Sequence, residues 1–426
     1  MENLLTRRNV IVAGVAIAII IGTLVWFGLK NGEERDGVGF LGIFPSAAPS
    51  GAPPSPTLGG ETPQKTPSVF PGGELPLSPE TARSLPIGTM IRLSSDNISS
   101  LAGIGTTSVR YHKNIPENLG HLFERRADGS DEERRISNFT IPQVLRAVWA
   151  PDGKRAVVFY NLDNQIRKLL IDYSTTTPRT NFLPDSVTDV AFSPDSKSLV
   201  FINDLGDSQN IFIATSDFKN QRRIFDNNVP GFEISWLTAN NIALKTKSSY
   251  GARGFLYTLN PSTGAFNKIA DGLGLDAVWN PDGSGSLYST SDTDGNLLNL
   301  KFVDVKTGNV KEFGVKTIAE KCAFLRTQKN IAYCGAPRSS TSDVGGLQTS
   351  DVFPLGIPDD WWKGKISFRD NFVLIDTSTG KVSDFIPTSF DVTSPKLLSD
   401  DSHLLFRDKS YGNLWSLKLK RVLITN

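Results

Sequence analysis

The sequence predicts an all-β fold, a seven-bladed β-propeller of four-stranded antiparallel blades. One transmembrane helix and a disordered Pro-rich linker are expected ahead of it. Three observations lead there. Short apolar runs alternate with Gly, Asp, Asn, Ser and Pro clusters from about residue 88 onward, without sustained helical periodicity. An aromatic or apolar residue followed by a tight turn recurs at Trp149, Phe192, Trp236, Trp279, Phe324 and Leu398, at intervals of 43, 44, 43, 45 and 74 residues. A second marker, an apolar run, a polar turn and another run, follows about twenty residues later in each unit, as in LYTLNPSTGAFNKIA and FVLIDTSTGKVSDFI. A period near 44 with four short strands per unit is the signature of propeller blades, which bury their faces by stacking around an axis.

The elements follow in chain order. Residues 1–9 form a short N-terminus containing Arg7 and Arg8. Residues 10–29, VIVAGVAIAIIIGTLVWFGL, carry no charge and, at about 1.5 Å per residue, match the roughly 30 Å hydrocarbon core. Trp26 lies near one end, where an amphipathic ring prefers the interface. A cleaved signal peptide has a shorter apolar region ending in small residues. This run is longer and exits through Trp-Phe-Gly-Leu-Lys, so an uncleaved signal anchor is expected. The arginines ahead of it place the N-terminus in the cytoplasm and the remainder outside the cell membrane.

Residues 30–87 form the expected linker. The stretch 37–88 holds 11 of the 25 prolines and has few core-forming residues, so it is expected to be a disordered tether, partly polyproline II. About 40 such residues span on the order of 35 Å as a coil. Residues 88–426 then carry seven repeat units, the first degenerate and marked by HLFERRADGSDEERRIS. The last unit, NLWSLKLKRVLITN, lacks a clear final turn, and its outer strand is expected to come from GTMIRLS at 88–94, which closes the ring.

The repeated W/F-x-P-D-G/S turn and the A-D-G-S…R-R-I turn at 127–136 resemble the TolB-type propeller repeat, a relative of the WD repeat. The resemblance covers roughly residues 88–426 and implies the fold. It leaves function open, because such repeats serve scaffolds, peptidase-associated domains and sugar-processing enzymes. The membrane anchor and tether depart from TolB itself, so TolB's partners are not carried over.

Composition limits the chemistry. With 45 basic and 44 acidic side chains, no basic excess exists for nucleic acid. Three histidines and two cysteines leave little for a Cys/His metal site. No G-x-S-x-G or H-E-x-x-H motif occurs. No catalytic residue, cofactor or metal ligand is therefore expected. Asp152, Asp195 and Asp282 belong to Pro-Asp turns, where Pro presets φ and the next residue accepts φ > 0. The phase-matched aromatics are expected to pack between blades. SDTDGNLLNL (291–300) lacks the spacing and terminal Glu of a calcium loop and is expected to be a strand connection.

Two features are individual to this chain. Cys322 and Cys334 flank one hairpin nearly symmetrically, which suits a disulfide outside the cytoplasm or, alternatively, two buried thiols. The insertion at 336–371 falls between the second and third strands of blade six. It carries Phe353, Trp361, Trp362, Lys363 and Lys365, an aromatic and cationic set suited to anchoring a partner. The competing expectation is that it folds over the channel mouth and buries its own aromatics. The function expected from the sequence is a non-catalytic binding scaffold for a protein or cell-envelope partner. The alternatives are a carbohydrate-active or lactonase-like propeller enzyme with a channel carboxylate and metal site, or a purely structural envelope component.

Overall fold

The computed structural model describes residues 69–70, 76–206, 208–227, 229–337 and 355–419. The described residues form seven sheets, each with four antiparallel strands, and blade order follows chain order. Blade one runs from Ile98–Ile104 through Arg134–Arg135, and blade two from Val144–Trp149 through Arg179–Phe182. Blade six comprises Cys322–Phe324, Ile331–Pro337, Asp370–Asp376 and Val382–Pro387. Blade seven has three strands from the C-terminal end, Val392–Leu397, His403–Asp408 and Leu414–Lys418. Its fourth is Met90–Ser94, antiparallel to Leu414–Lys418. The ring thus closes through GTMIRLS, as expected. A further short strand, Val69–Phe70, runs parallel to Met90–Ser94 at the outer edge.

The apolar cores lie between blades. Val157 and Phe159 of blade two pack with Phe192, Leu199 and Phe201 of blade three. Ile202 and Ile211 of blade three pack with Ile242 and Leu244 of blade four. The repeated aromatics stand in these seams: Phe192 and Phe324 in the cores, Trp236 and Trp279 against them. Trp149 stacks on Tyr173 with ring centroids 5.6 Å apart, under the Arg110 guanidinium of blade one. Each buried ring of this size contributes about 1.5–3 kcal/mol, which is why bulk recurs at one phase.

The Pro-Asp turns are hairpin turns. Asp152, Asp195 and Asp282 each accept a hydrogen bond through Oδ1 from the backbone N–H two residues on, at 2.9, 3.1 and 3.0 Å. The intervening residues Gly153, Ser196 and Gly283 have φ of 69°, 63° and 68°. Asp thus closes the turn while its neighbour takes the left-handed conformation.

Ordered structure begins before residue 88, which corrects the expected linker boundary. Pro79–Ser84 is a short helix capped by Ser78, whose Oγ accepts from Thr81 N at 3.1 Å. Ala82 and Leu85 are buried, Leu85 within the seam of blades seven and one. The Lys418 ammonium donates to the carbonyls of Ala82, Arg83 and Leu85. Apolar burial and satisfied helix-end carbonyls hold this segment to the propeller. The expected membrane segment at 10–29 lies outside the described residues. Among the described residues no helix is long and apolar enough to cross a membrane.

Candidate functional site

The innermost strands carry a charge at one phase, three residues before the repeated aromatic: Arg146, Asp189, Glu233, Asp276 and Lys321. Their side chains link neighbouring blades near one end of the channel. Arg146 pairs with Asp189 at 2.6 Å. Asp189 accepts from Ile234 N of blade four at 2.8 Å. Lys245 of blade four pairs with Asp276 of blade five at 2.5 Å and with Glu233 at 3.1 Å. Asp276 in turn accepts from Glu320 N of blade six at 2.6 Å. Carboxylates therefore staple successive blades, with a charge-assisted bond at each seam from blade two to blade six.

At blade six the pattern becomes a buried network. Lys321, fully buried, sits 2.7 Å from both Asp370 Oδ2 and Asp391 Oδ1. Asp391 also accepts from Trp361 Nε1 at 3.0 Å, Phe368 N at 3.1 Å and Ser367 Oγ at 3.2 Å. The Lys321 ammonium lies 5.0 Å from the Trp361 ring centroid and 4.6 Å from that of Phe368. Burial pushes the Asp370 carboxyl up to about 6, opposed by the adjacent Lys321 charge.

This network seats the insertion. Its described part, residues 355–369, contains the short helix Asp359–Trp362 and reaches four blades. Asp359 accepts from Ser249 Oγ and Tyr250 N in blade four. Ser291 of blade five donates to Ile357 O at 2.6 Å. Gly295 and Gly356 face each other so closely that a Cβ on Gly295 would stand 2.5 Å from Gly356 N. The SDTDG turn is thus the strand connection expected, shaped to let the insertion's backbone approach. Ser367 meets Ser410 of blade seven at 2.9 Å. Leu297, Ile318, Ile357, Trp361 and Phe368 form a small apolar core beneath.

The candidate anchors separate. Trp361 is fully buried, so it is removed from the exposed set: it is the peg of the cap, held by Asp391. Trp362, one residue on and about 100° around the helix, is 38% exposed. Its Nε1 donates to Glu320 Oε2 at 2.8 Å. Lys363 and Lys365 are exposed, and Lys365 pairs with Asp360 at 3.0 Å. Phe353 lies outside the described residues. The two tryptophans therefore separate: Trp361 is buried in the cap, as one expectation for the insertion had it, and Trp362 is partly exposed.

A cavity of about 320 Å³ opens behind Trp362 at the channel mouth. Its wall is formed by the inner strands of blades seven, one and two together with Glu320 and both tryptophans. Burial and the charge of Asp276 push the Glu320 carboxyl above its usual range, although Trp362 and Thr393 donate to it. Among the described residues, no group of three or more His, Cys, Asp or Glu stands together as a potential metal site.

Cys322 and Cys334 are bonded as a disulfide. They face each other across the first two strands of blade six, with Cα atoms 4.0 Å apart. Closing so short a loop stabilises the hairpin by about 3 kcal/mol in the chain-entropy description. Of the two alternatives left open by the sequence, the disulfide is the one observed.

Sequence reading missed Lys321, Asp370, Asp391, Glu320 and the cavity cations. The phase-locked charge three residues before the aromatic was a usable signal for Lys321. Asp391 gave none, because blade seven breaks the phase: its inner strand shifts register between Thr393 and Lys396, with Ser394 at φ 53°.

Fold and site together define a β-propeller whose channel mouth is capped from one blade. No family model matches the chain, and no curated protein matches it. Among solved structures it is similar to an oligogalacturonate lyase in complex with manganese, at 11% identity over 79% of this chain and 99% of that one, TM-score 0.52. It is also similar to the oligogalacturonate lyase of Vibrio parahaemolyticus, at 8% identity over 78% and 94%, TM-score 0.51. TolB from Acinetobacter baumannii aligns at 14% identity and TM-score 0.41, covering 63% of this chain; this chain spans 59% of that TolB's length. At such identities the likeness shows the propeller fold alone.

Proposed function

We propose that this chain is a membrane-tethered, extracytoplasmic binding propeller that takes a protein or cell-envelope polymer on its insertion side, without catalysis of its own. The observation that carries this reading is the cap: a segment, residues 355–369, fixed to four blades that leaves the Trp362 indole partly exposed beside an open cavity. A rigid, partly exposed aromatic on a preorganised support is the usual form of an interface anchor. The channel-mouth carboxylates are engaged in holding strands and cap together, which favours binding over a lactonase-like reaction. The tether and location rest on the uncharged segment 10–29 behind Arg7 and Arg8. The Cys322–Cys334 bond agrees with them, since such bonds persist in oxidising compartments.

The test uses the full chain as bait against solubilised envelope. Trp362→Ala is expected to weaken capture about thirtyfold, the scale of a hot-spot residue, with the melting temperature little changed. Undiminished capture by this variant sinks the insertion-side reading. Protease added outside intact cells is expected to digest the propeller; digestion seen only after lysis would overturn the location.

A further inference from the structure

The cavity behind Trp362 holds more positive charge than the fold uses. Lys396 lies on the inner strand of blade seven, Arg407 on its second strand, and Lys409 just beyond. Arg146 enters from blade two and is held by Asp189. The other three form no ion pair among the described residues. Arg407 reaches only Asn97 Oδ1, at 3.4 Å, and Lys409 Nζ stands 5.1 Å from the Trp361 ring centroid.

The nearby carboxylates are already committed. Asp391 serves Lys321, Trp361, Ser367 and Phe368, Asp408 accepts from the N–H groups of Asp391 and Ser410, and Glu320, in the cavity wall itself, accepts from Trp362 Nε1 and Thr393 Oγ1. Two polar atoms of cavity-lining residues are buried without any partner: Arg407 Nε and Ser99 Oγ. A buried donor without an acceptor costs stability, and three cations that form no ion pair outnumber Glu320, the carboxylate in the cavity wall; one bound anion relieves both.

We infer that this cavity binds a small anion, a carboxylate or a phosphate, through Lys396, Arg407 and Lys409, with the Ser99 hydroxyl as a further donor. The inference rests on the insertion side being the binding face and names the chemistry that face selects. Desolvation lowers the pKa of all three cations, so an incoming anion favours their charged forms. The cavity volume of about 320 Å³ admits a small ligand or the acidic end of a larger one.

Calorimetric titration of the full chain at low salt, with inorganic phosphate and separately with succinate, tests this. Saturable one-site binding of at least one of them is expected, and which one binds assigns phosphate or carboxylate. Lys396→Met and Arg407→Gln should each weaken it about tenfold, the loss of one charge-assisted contact. Lys306→Met, on an exposed turn of blade five, should leave it unchanged. Lys396 is an exposed residue, so its substitution is readable even if Arg407→Gln impairs folding. No saturable binding by the native chain, or binding untouched by Lys396→Met, overturns the inference. Failed anion binding alongside Trp362-dependent capture leaves the proposed function standing. Intact anion binding alongside capture insensitive to Trp362→Ala overturns that function and keeps the cavity's assignment.

Discussion

Replacing Asp391 with alanine is expected to cost about 3–5 kcal/mol of folding stability, measured by urea unfolding of the full chain. The carboxylate is almost fully buried and answers four donors from three places in the chain. Without it, the buried Lys321 keeps only Asp370, and the Trp361 Nε1 and Phe368 N lose their acceptor. A buried ammonium left with one of its two carboxylates, together with the donors that lose Asp391, accounts for the size of the effect. The damage should concentrate at the cap, so limited proteolysis within residues 355–369 should accelerate before the blades unfold. A loss below about 1 kcal/mol would show that the cap holds by its apolar core alone.

Removing the closing strand is expected to have the larger effect. Met90, Ile91 and Leu93 are each no more than 2% exposed and fill the seams on both sides of blade seven. At about 1.5–3 kcal/mol each they amount to roughly 4.5–9 kcal/mol, comparable with the whole stability of a domain. A chain starting at residue 96 should show no cooperative melt by calorimetry. A chain starting at residue 76, which keeps the helix and the strand, should melt cooperatively. If both melt alike, the ring does not depend on this closure.

The fold was legible because the blades repeat similar demands: bulk at the seam and, in blades two, three and five, Asp at the hairpin with a positive φ after it. Those demands recur every 43–45 residues, and repetition lifts them above the noise of any single strand. Even the closing strand could be read from what the last repeat lacked. The helix Pro79–Ser84 was hidden by its surroundings. Ser78 followed by Pro79 is a helix start, but among so many prolines it resembled more linker. The site was less legible. Trp361 and Trp362 are adjacent in sequence and looked like one anchor, yet the helical turn sends one inward and the other out. The cations of the cavity come from blades two and seven, distant in the chain, and only ring closure brings their walls together. Nothing local marks such residues, since they share one cavity only in the folded ring.

Seven similar blades make a nearly rotationally symmetric object, and a ligand arriving along the axis would meet interchangeable sectors. The cap removes that degeneracy. Its described part rests on blades four to seven, whereas the cavity opens against blades seven, one and two. The molecule thereby acquires an azimuth as well as an axis: a bound molecule can be held in one angular orientation, with its acidic end toward one sector and the rest of its length directed away from the Trp362 side.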